Sequence, residues 1–104
     1  MKKIDTLKEI LLKKKGRILL AEQALPIEDL KAKIPGLLAT RPFMEAIHKP
    51  RSISLIAEIK RASPSSGIIR QGFNPQEIAK VYQDAGVKAI SLLTEEDYFG
   101  GNIS

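Results

Sequence analysis

The chain has 104 residues, 43% hydrophobic and 28% charged, with a formal net charge of +5. That is the size of one small domain or part of a larger one, and it is too apolar for disorder along its whole length. The absence of cysteine and the single histidine, His48, exclude disulfide scaffolds and thiolate metal sites, so no metal is expected. Aromatic residues make up only 5%, too few for the stacking surfaces of single-strand nucleic-acid binders.

The charge is concentrated at the start. Residues 1–17 hold seven basic residues against two acidic ones, and the rest of the chain balances ten against ten. Ile4, Leu7, Leu11 and Ile18 recur at helical spacing with lysines between them. The segment is therefore read as a helix over residues 3–22 with a solvated basic face, and not as an anion-binding or nucleic-acid arm. Gly16 is its weak point. Asp5 and Glu9 interrupt the apolar residues that follow Met1, so no membrane span or export segment is expected, and the cytoplasm is the default location.

Pro26 opens a short helical pattern, Ile27 to Ile34, which Pro35-Gly36 ends. Thr40 is the expected N-cap of a third helix, Arg41 to His48, with Phe43, Met44 and Ile47 on one side. His48 is read as a surface or cap residue. Ile53 to Ile59 is β-branched and apolar except at Glu58, the pattern of a parallel strand covered on both faces. Residues 60–73 carry Pro, Ser and Gly and read as a long loop. Asn74-Pro75 is a strong helix start, and Gly86 stands where a C′ glycine ends the helix. Ala89 to Leu93 reads as a second strand, followed by a loop from Thr94 to Asn102. Strand, loop, helix, strand is one βαβ unit with parallel strands. Two parallel strands are no stable sheet by themselves, so both need neighbours on their free edges.

Chemistry concentrates after the strands. Glu58 and Lys60 are two apart at the C-terminal end of the first strand. They therefore share a face where α/β sheets and barrels place their sites. A carboxylate and an ammonium held there can bind an anionic substrate, or they can be a structural ion pair. Ser63, Ser65, Ser66 and Gly67 offer hydroxyls and backbone N–H groups that suit carboxylate or phosphate oxygens, or simply form a turn. Arg61 and Arg70 are read as solvated. Phe99, after the second strand, either walls an apolar substrate pocket or packs its own loop down. Glu95, Glu96 and Asp97 are consecutive, which argues for solvation over a metal site.

These residues carry a resemblance. The run from Ile56 to Ser65 (IAEIKRASPS) resembles the first-strand signature of indole-3-glycerol phosphate synthases, an apolar strand ending in E-x-K-x-x-S-P-S. The likeness continues through Gly67 to Arg70, Phe73-Asn74-Pro75, Ala85-Gly86, Ala89 to Glu95 and Tyr98 to Gly101. Arg41-Pro42-Phe43 and Ala46-Ile47 look like the family's short helix before the barrel. The similar stretch is residues 41–104, and residues 1–40 are similar in helical character alone. Ser66 departs from the family, many of whose members carry lysine there.

The resemblance implies an α/β fold, the N-terminal part of a (β/α)8 TIM barrel. Residues 1–50 would be a helical extension, and residues 51–104 the first strand–helix–strand unit, leaving the barrel incomplete. It implies a lyase of tryptophan biosynthesis that converts 1-(2-carboxyphenylamino)-1-deoxyribulose 5-phosphate into indole-3-glycerol phosphate, with loss of carbon dioxide and water and without a cofactor. Glu58 and Lys60 would be catalytic, with Lys60 contacting the anionic substrate and assisting ring closure. Ser63 would bind in the substrate loop and Phe99 would line the pocket for the anthranilate ring. The family's general-acid lysine, general-base glutamate and main phosphate-binding loops lie on later strands. A chain with two of the roughly eight strands of such a barrel is expected to be an N-terminal fragment, inactive alone. Its partners are expected to be the remainder of the barrel or further copies meeting at the open sheet edges. No nucleic acid or membrane partner is expected. Two other classes stay open on the sequence: another barrel acting on a phosphorylated sugar, such as phosphoribosylanthranilate isomerase, and a small basic nucleic-acid-binding module.

Overall fold

The computed structural model describes residues 5–104. Helix α1 runs Thr6–Ala24, and the Asp5 side chain accepts the Lys8 N–H at 3.2 Å, one of the donors a helix start leaves unpaired. Ile4 and the basic residues Lys2 and Lys3 lie outside the described residues. The helix passes through Gly16, where one glycine costs less than a break in the bonding. The expected single apolar stripe is not what α1 presents. Leu12 and Leu19 stand roughly a third of a turn from Leu7, Leu11 and Ile18, and all five are exposed.

Helix α2, Ile27–Lys33, passes into a 3₁₀ turn, Ile34–Gly36, where Pro35 and Gly36 stop it. The first of the chain's two units ends at Thr40; the second runs Arg41–Ser104. No helix among the described residues is long and apolar enough to cross a membrane.

The second unit opens with α3, Phe43–Ile47. Thr40 does not cap it: the N-cap position is Pro42, with no side-chain bond. The cause is local, because a residue before proline is pushed towards extended backbone, so Arg41 cannot be helical and the helix starts after the ring.

Strand β1, Ile56–Ile59, begins three residues later than the apolar run suggests. It pairs with four residues of its partner, and Ser54, two residues before the strand, is bonded elsewhere. The Ser54 hydroxyl donates to the Ile47 carbonyl at 2.6 Å, and Ile53 is 97% exposed.

The expected loop over 60–73 contains a small antiparallel hairpin, β2 (Ala62–Ser63) with β3 (Gly67–Ile68). Strand β3 leaves the turn at Gly67 with φ +62°, a conformation glycine adopts without steric cost.

Helix α4, Pro75–Asp84, starts and stops as its residues dictate. The Asn74 side chain accepts the N–H groups of Gln76 and Glu77 at 3.0 and 3.3 Å. At the other end Gly86 has φ +85°, its N–H bonds the Gln83 carbonyl, and the Val87 N–H bonds that of Tyr82. That pair of bonds is a Schellman cap.

Strand β4, Ala89–Leu92, pairs with β1 in parallel, Ile56 opposite Ala89 and Ile59 opposite Leu92. The ladder extends at both ends, from Lys88 N–H to Leu55 O at 3.1 Å and from Leu93 N–H to Ile59 O at 3.0 Å.

Ile59, 3% exposed, is the one buried apolar side chain among the described residues. Alternation puts Ala57 and Ile59 on one face of β1 and Ile56, Glu58 and Lys60 on the other. Both faces were expected to be covered. Ile56 at 48% and Leu92 at 53% exposure show that much of the strand pair's apolar surface is bare. One buried isoleucine contributes only about 2 kcal/mol, so this unit presents surfaces still to be covered.

Candidate active site

The residues singled out in the sequence cluster at the C-terminal ends of β1 and β4. At the end of β1 the Glu58 carboxylate and the Lys60 ammonium lie 3.6 Å apart, their side chains 49% and 35% exposed. An ion pair so open to water contributes at most about 1 kcal/mol. Stability is therefore a poor reason for placing both charges on the face opposite Ile59. The strand is held from behind, where the Tyr82 hydroxyl of α4 donates to the Glu58 carbonyl at 3.2 Å. A cleft of about 560 Å³ lies between this end of β1 and α4, bordered by Glu58, Lys60, Arg70, Asn74 and Tyr82 among others. Its size suits a small organic ligand. Its lining mixes two acids, Glu58 and Glu77, and two bases, Lys60 and Arg70, with apolar Ile59, Phe73, Ile78 and Val81, so it carries no net charge of one sign.

Ser63 ends β2 and leads into the β2–β3 turn. Its hydroxyl accepts the Ser66 N–H at 3.2 Å and lies 3.4 Å from the Ser65 hydroxyl. The turn chemistry foreseen for these serines is therefore present, and in this arrangement the Ser63 hydroxyl bonds its own loop.

Phe99 lies half-buried in the loop after β4, and its carbonyl accepts the Ala62 N–H at 3.2 Å. The loops after the two strands thus meet directly, two residues beyond Lys60. The structure brings Glu58 and Lys60 side by side and joins Ser63 and Phe99 to them through Arg61 and Ala62.

Two features of the second loop escaped the sequence reading. The acidic run is not simply solvated, because the Glu95 carboxylate accepts backbone N–H groups from Asp97, Tyr98 and Phe99. The Gly100-Gly101 pair is also a packing requirement. A Cβ on Gly101 would overlap the Leu93 carbonyl oxygen and come within 2.6 Å of the Thr94 carbonyl carbon. Gly100 sits at φ +61°, and a Cβ there would meet the Arg61 guanidinium at 3.1 Å. Nothing in the sequence separates Glu95 from Glu96 for this role, since both precede the same amides. Among the described residues no group of three or more acidic or histidine side chains is placed to hold a metal ion.

A family model described as indole-3-glycerol phosphate synthase matches residues 7–104. The chain belongs to the indole-3-glycerol phosphate synthase family.

Curated relatives agree. The chain is 45% identical over 96 residues to an indole-3-glycerol phosphate synthase of Clostridium acetobutylicum, which covers 91% of this chain and 36% of the relative. A second, of Geobacillus thermodenitrificans, is 57% identical over 63 residues, 60% of this chain and 24% of the relative. A third, of Rhodopirellula baltica, is 40% identical over 97 residues, 93% of this chain and 38% of the relative. The chain therefore spans between a quarter and two fifths of the length of these relatives. The match corrects one expectation. Similarity reaches back to residue 7, so the helices before Arg41 belong to the indole-3-glycerol phosphate synthase pattern too.

Proposed function

We propose that this chain supplies the first part of an indole-3-glycerol phosphate synthase. In this reading residues 1–50 are the helical extension and residues 51–104 the first strand–helix–strand unit of a (β/α)8 barrel. The bare edges of β1 and β4 are covered by the barrel's remaining strands, or by further copies when the chain is alone. The enzyme acts in the cytoplasm on 1-(2-carboxyphenylamino)-1-deoxyribulose 5-phosphate.

The observation that carries the reading is the Glu58–Lys60 pair, 3.6 Å apart at the C-terminal end of a parallel strand, where barrels of this kind place their catalytic groups. Ring closure joins a ring carbon of the anthranilate to the ketone carbon of the sugar chain, so negative charge develops on the ketone oxygen. The Lys60 ammonium is suited to contact the anionic substrate and to stabilise that charge. Glu58 orients the ammonium. Ser63 lies in the substrate loop, and Phe99 lines the place of the anthranilate ring. The ketone oxygen takes up a proton and becomes a hydroxyl. The bond from the ring carbon to the carboxylate then breaks, carbon dioxide leaves and the electron pair restores the aromatic ring. That same hydroxyl takes a second proton and leaves as water, while the adjacent carbon that bears the nitrogen loses a proton, which forms the indole double bond.

The test is carbon dioxide release from this substrate by the chain mixed with the complementary C-terminal segment of the Clostridium acetobutylicum relative. The mixture is expected to release carbon dioxide and form indole-3-glycerol phosphate, and the chain alone to do neither. Isomerisation of a phosphorylated sugar without carbon dioxide release would contradict the reading.

A further inference from the structure

We infer that Glu95 is a positioning residue of this site, holding Phe99, and through it the segment after Lys60, in place. The inference rests on the proposed function for the word "site"; its geometry is independent of it.

The Glu95 carboxylate is half-buried, unlike its neighbours Glu96 and Asp97. One of its oxygens accepts the Asp97 N–H at 3.1 Å, and the other accepts those of Tyr98 at 2.8 Å and Phe99 at 3.3 Å. Its backbone carbonyl accepts the Gly101 N–H at 2.7 Å, while that of Glu96 accepts the Gly100 N–H at 3.2 Å. One residue thereby gathers four of the amides between Asp97 and Gly101. Bonds to an ionised acceptor are about twice as strong as neutral ones, and the backbone here has no ladder to bond instead.

The arrangement continues across the site. The Phe99 carbonyl so placed accepts the Ala62 N–H at 3.2 Å. Ala62 pairs with Ile68, and the Ile69 N–H bonds the Arg61 carbonyl at 3.0 Å. A carboxylate that touches no reacting atom is thus linked through three backbone steps to the residue after Lys60. A side chain present only for solubility would have no cause to gather three donors.

The test is amide hydrogen exchange, followed by NMR, on the full 104-residue chain and on Glu95→Ala and Glu95→Gln. In Glu95→Ala the amides of Tyr98 and of the distant Ala62 are expected to exchange about tenfold faster. Leu93, whose N–H bonds Ile59, should change by less than about twofold. Glu95→Gln is expected to fall between, because its carboxamide offers only one accepting oxygen. An unchanged Ala62 would overturn the inference. So would equal acceleration of Leu93, which is general destabilisation, or an unaltered chain with no protection at Tyr98 and Ala62.

A kinetic measurement on the mixture with the relative's C-terminal segment completes it. Glu95→Ala is expected to raise KM about tenfold while kcat changes by less than about threefold. An unchanged KM beside a deprotected Ala62 would refute the link to the site. If the unaltered mixture makes no product, the proposed function fails, and the exchange pattern alone decides the role of Glu95.

Discussion

Replacing Lys60 by Met in the reconstituted enzyme is expected to lower kcat by on the order of 10²–10³-fold, with a far smaller change in KM. The methionine keeps the length and most of the volume of the side chain, so the effect isolates the ammonium. In the structure that ammonium lies 3.6 Å from the Glu58 carboxylate, and the lysine side chain is 35% exposed. The pair stands on the strand face opposite Ile59 and is worth at most about 1 kcal/mol to folding. Folding should therefore survive the substitution while transition-state stabilisation is lost. Glu58→Gln removes the charge that orients the ammonium and keeps its own shape, so it should cost less, about tenfold. Steady-state kinetics with circular dichroism on the same samples separates the two effects. A Lys60→Met enzyme retaining wild-type kcat would remove Lys60 from the chemistry.

Truncating Ile59 is expected to have the largest effect on stability of any single change in the second unit. The residue is 3% exposed and alone in that condition among the described residues. It lies where β1 packs on α4, and its carbonyl accepts the Leu93 N–H at 3.0 Å. Removing buried methyl groups at such a position costs about 2–5 kcal/mol, because the transfer energy is lost and a cavity remains. A unit with so little else buried cannot absorb that. Ile59→Ala is expected to unfold the strand pair, seen as loss of the cooperative urea transition by circular dichroism. Ile103→Ala, at a residue 88% exposed, should move the midpoint hardly at all. Equal effects from the two would mean that the β1–α4 packing is not what holds the unit together.

The elements that could be read from the sequence were those whose ends are set by single residues acting locally. Asn74 and Pro75 begin α4, and Gly86 ends it, because a side-chain oxygen, a fixed φ and a positive φ each act within one turn. The Glu58–Lys60 pair was legible for the same kind of reason, since strand alternation alone puts residues two apart on one face.

What was not legible depends on partners distant in the chain. Strand β1 starts at Ile56 and not Ile53, because its paired residues are those that meet Ala89 to Leu92 of β4, while Ser54 bonds the Ile47 carbonyl. The hairpin inside 60–73 exists because Ala62 and Ser63 find Ile68 and Gly67 across a serine-rich turn. Thr40 has the chemistry of a cap but stands ahead of Pro42, and the ring decides the matter. Glu95 looked like one of three acids, and only the folded loop shows which of them the amides face.

The most direct test of the central claim is a stoichiometric titration. The complementary C-terminal segment of the Clostridium acetobutylicum relative is held at fixed concentration and this chain is added, while indole-3-glycerol phosphate formation is followed. The account predicts no product from either polypeptide alone, and a rate that rises with added chain and saturates at one chain per segment. Product formation by this chain alone, or silence at every ratio, would contradict it.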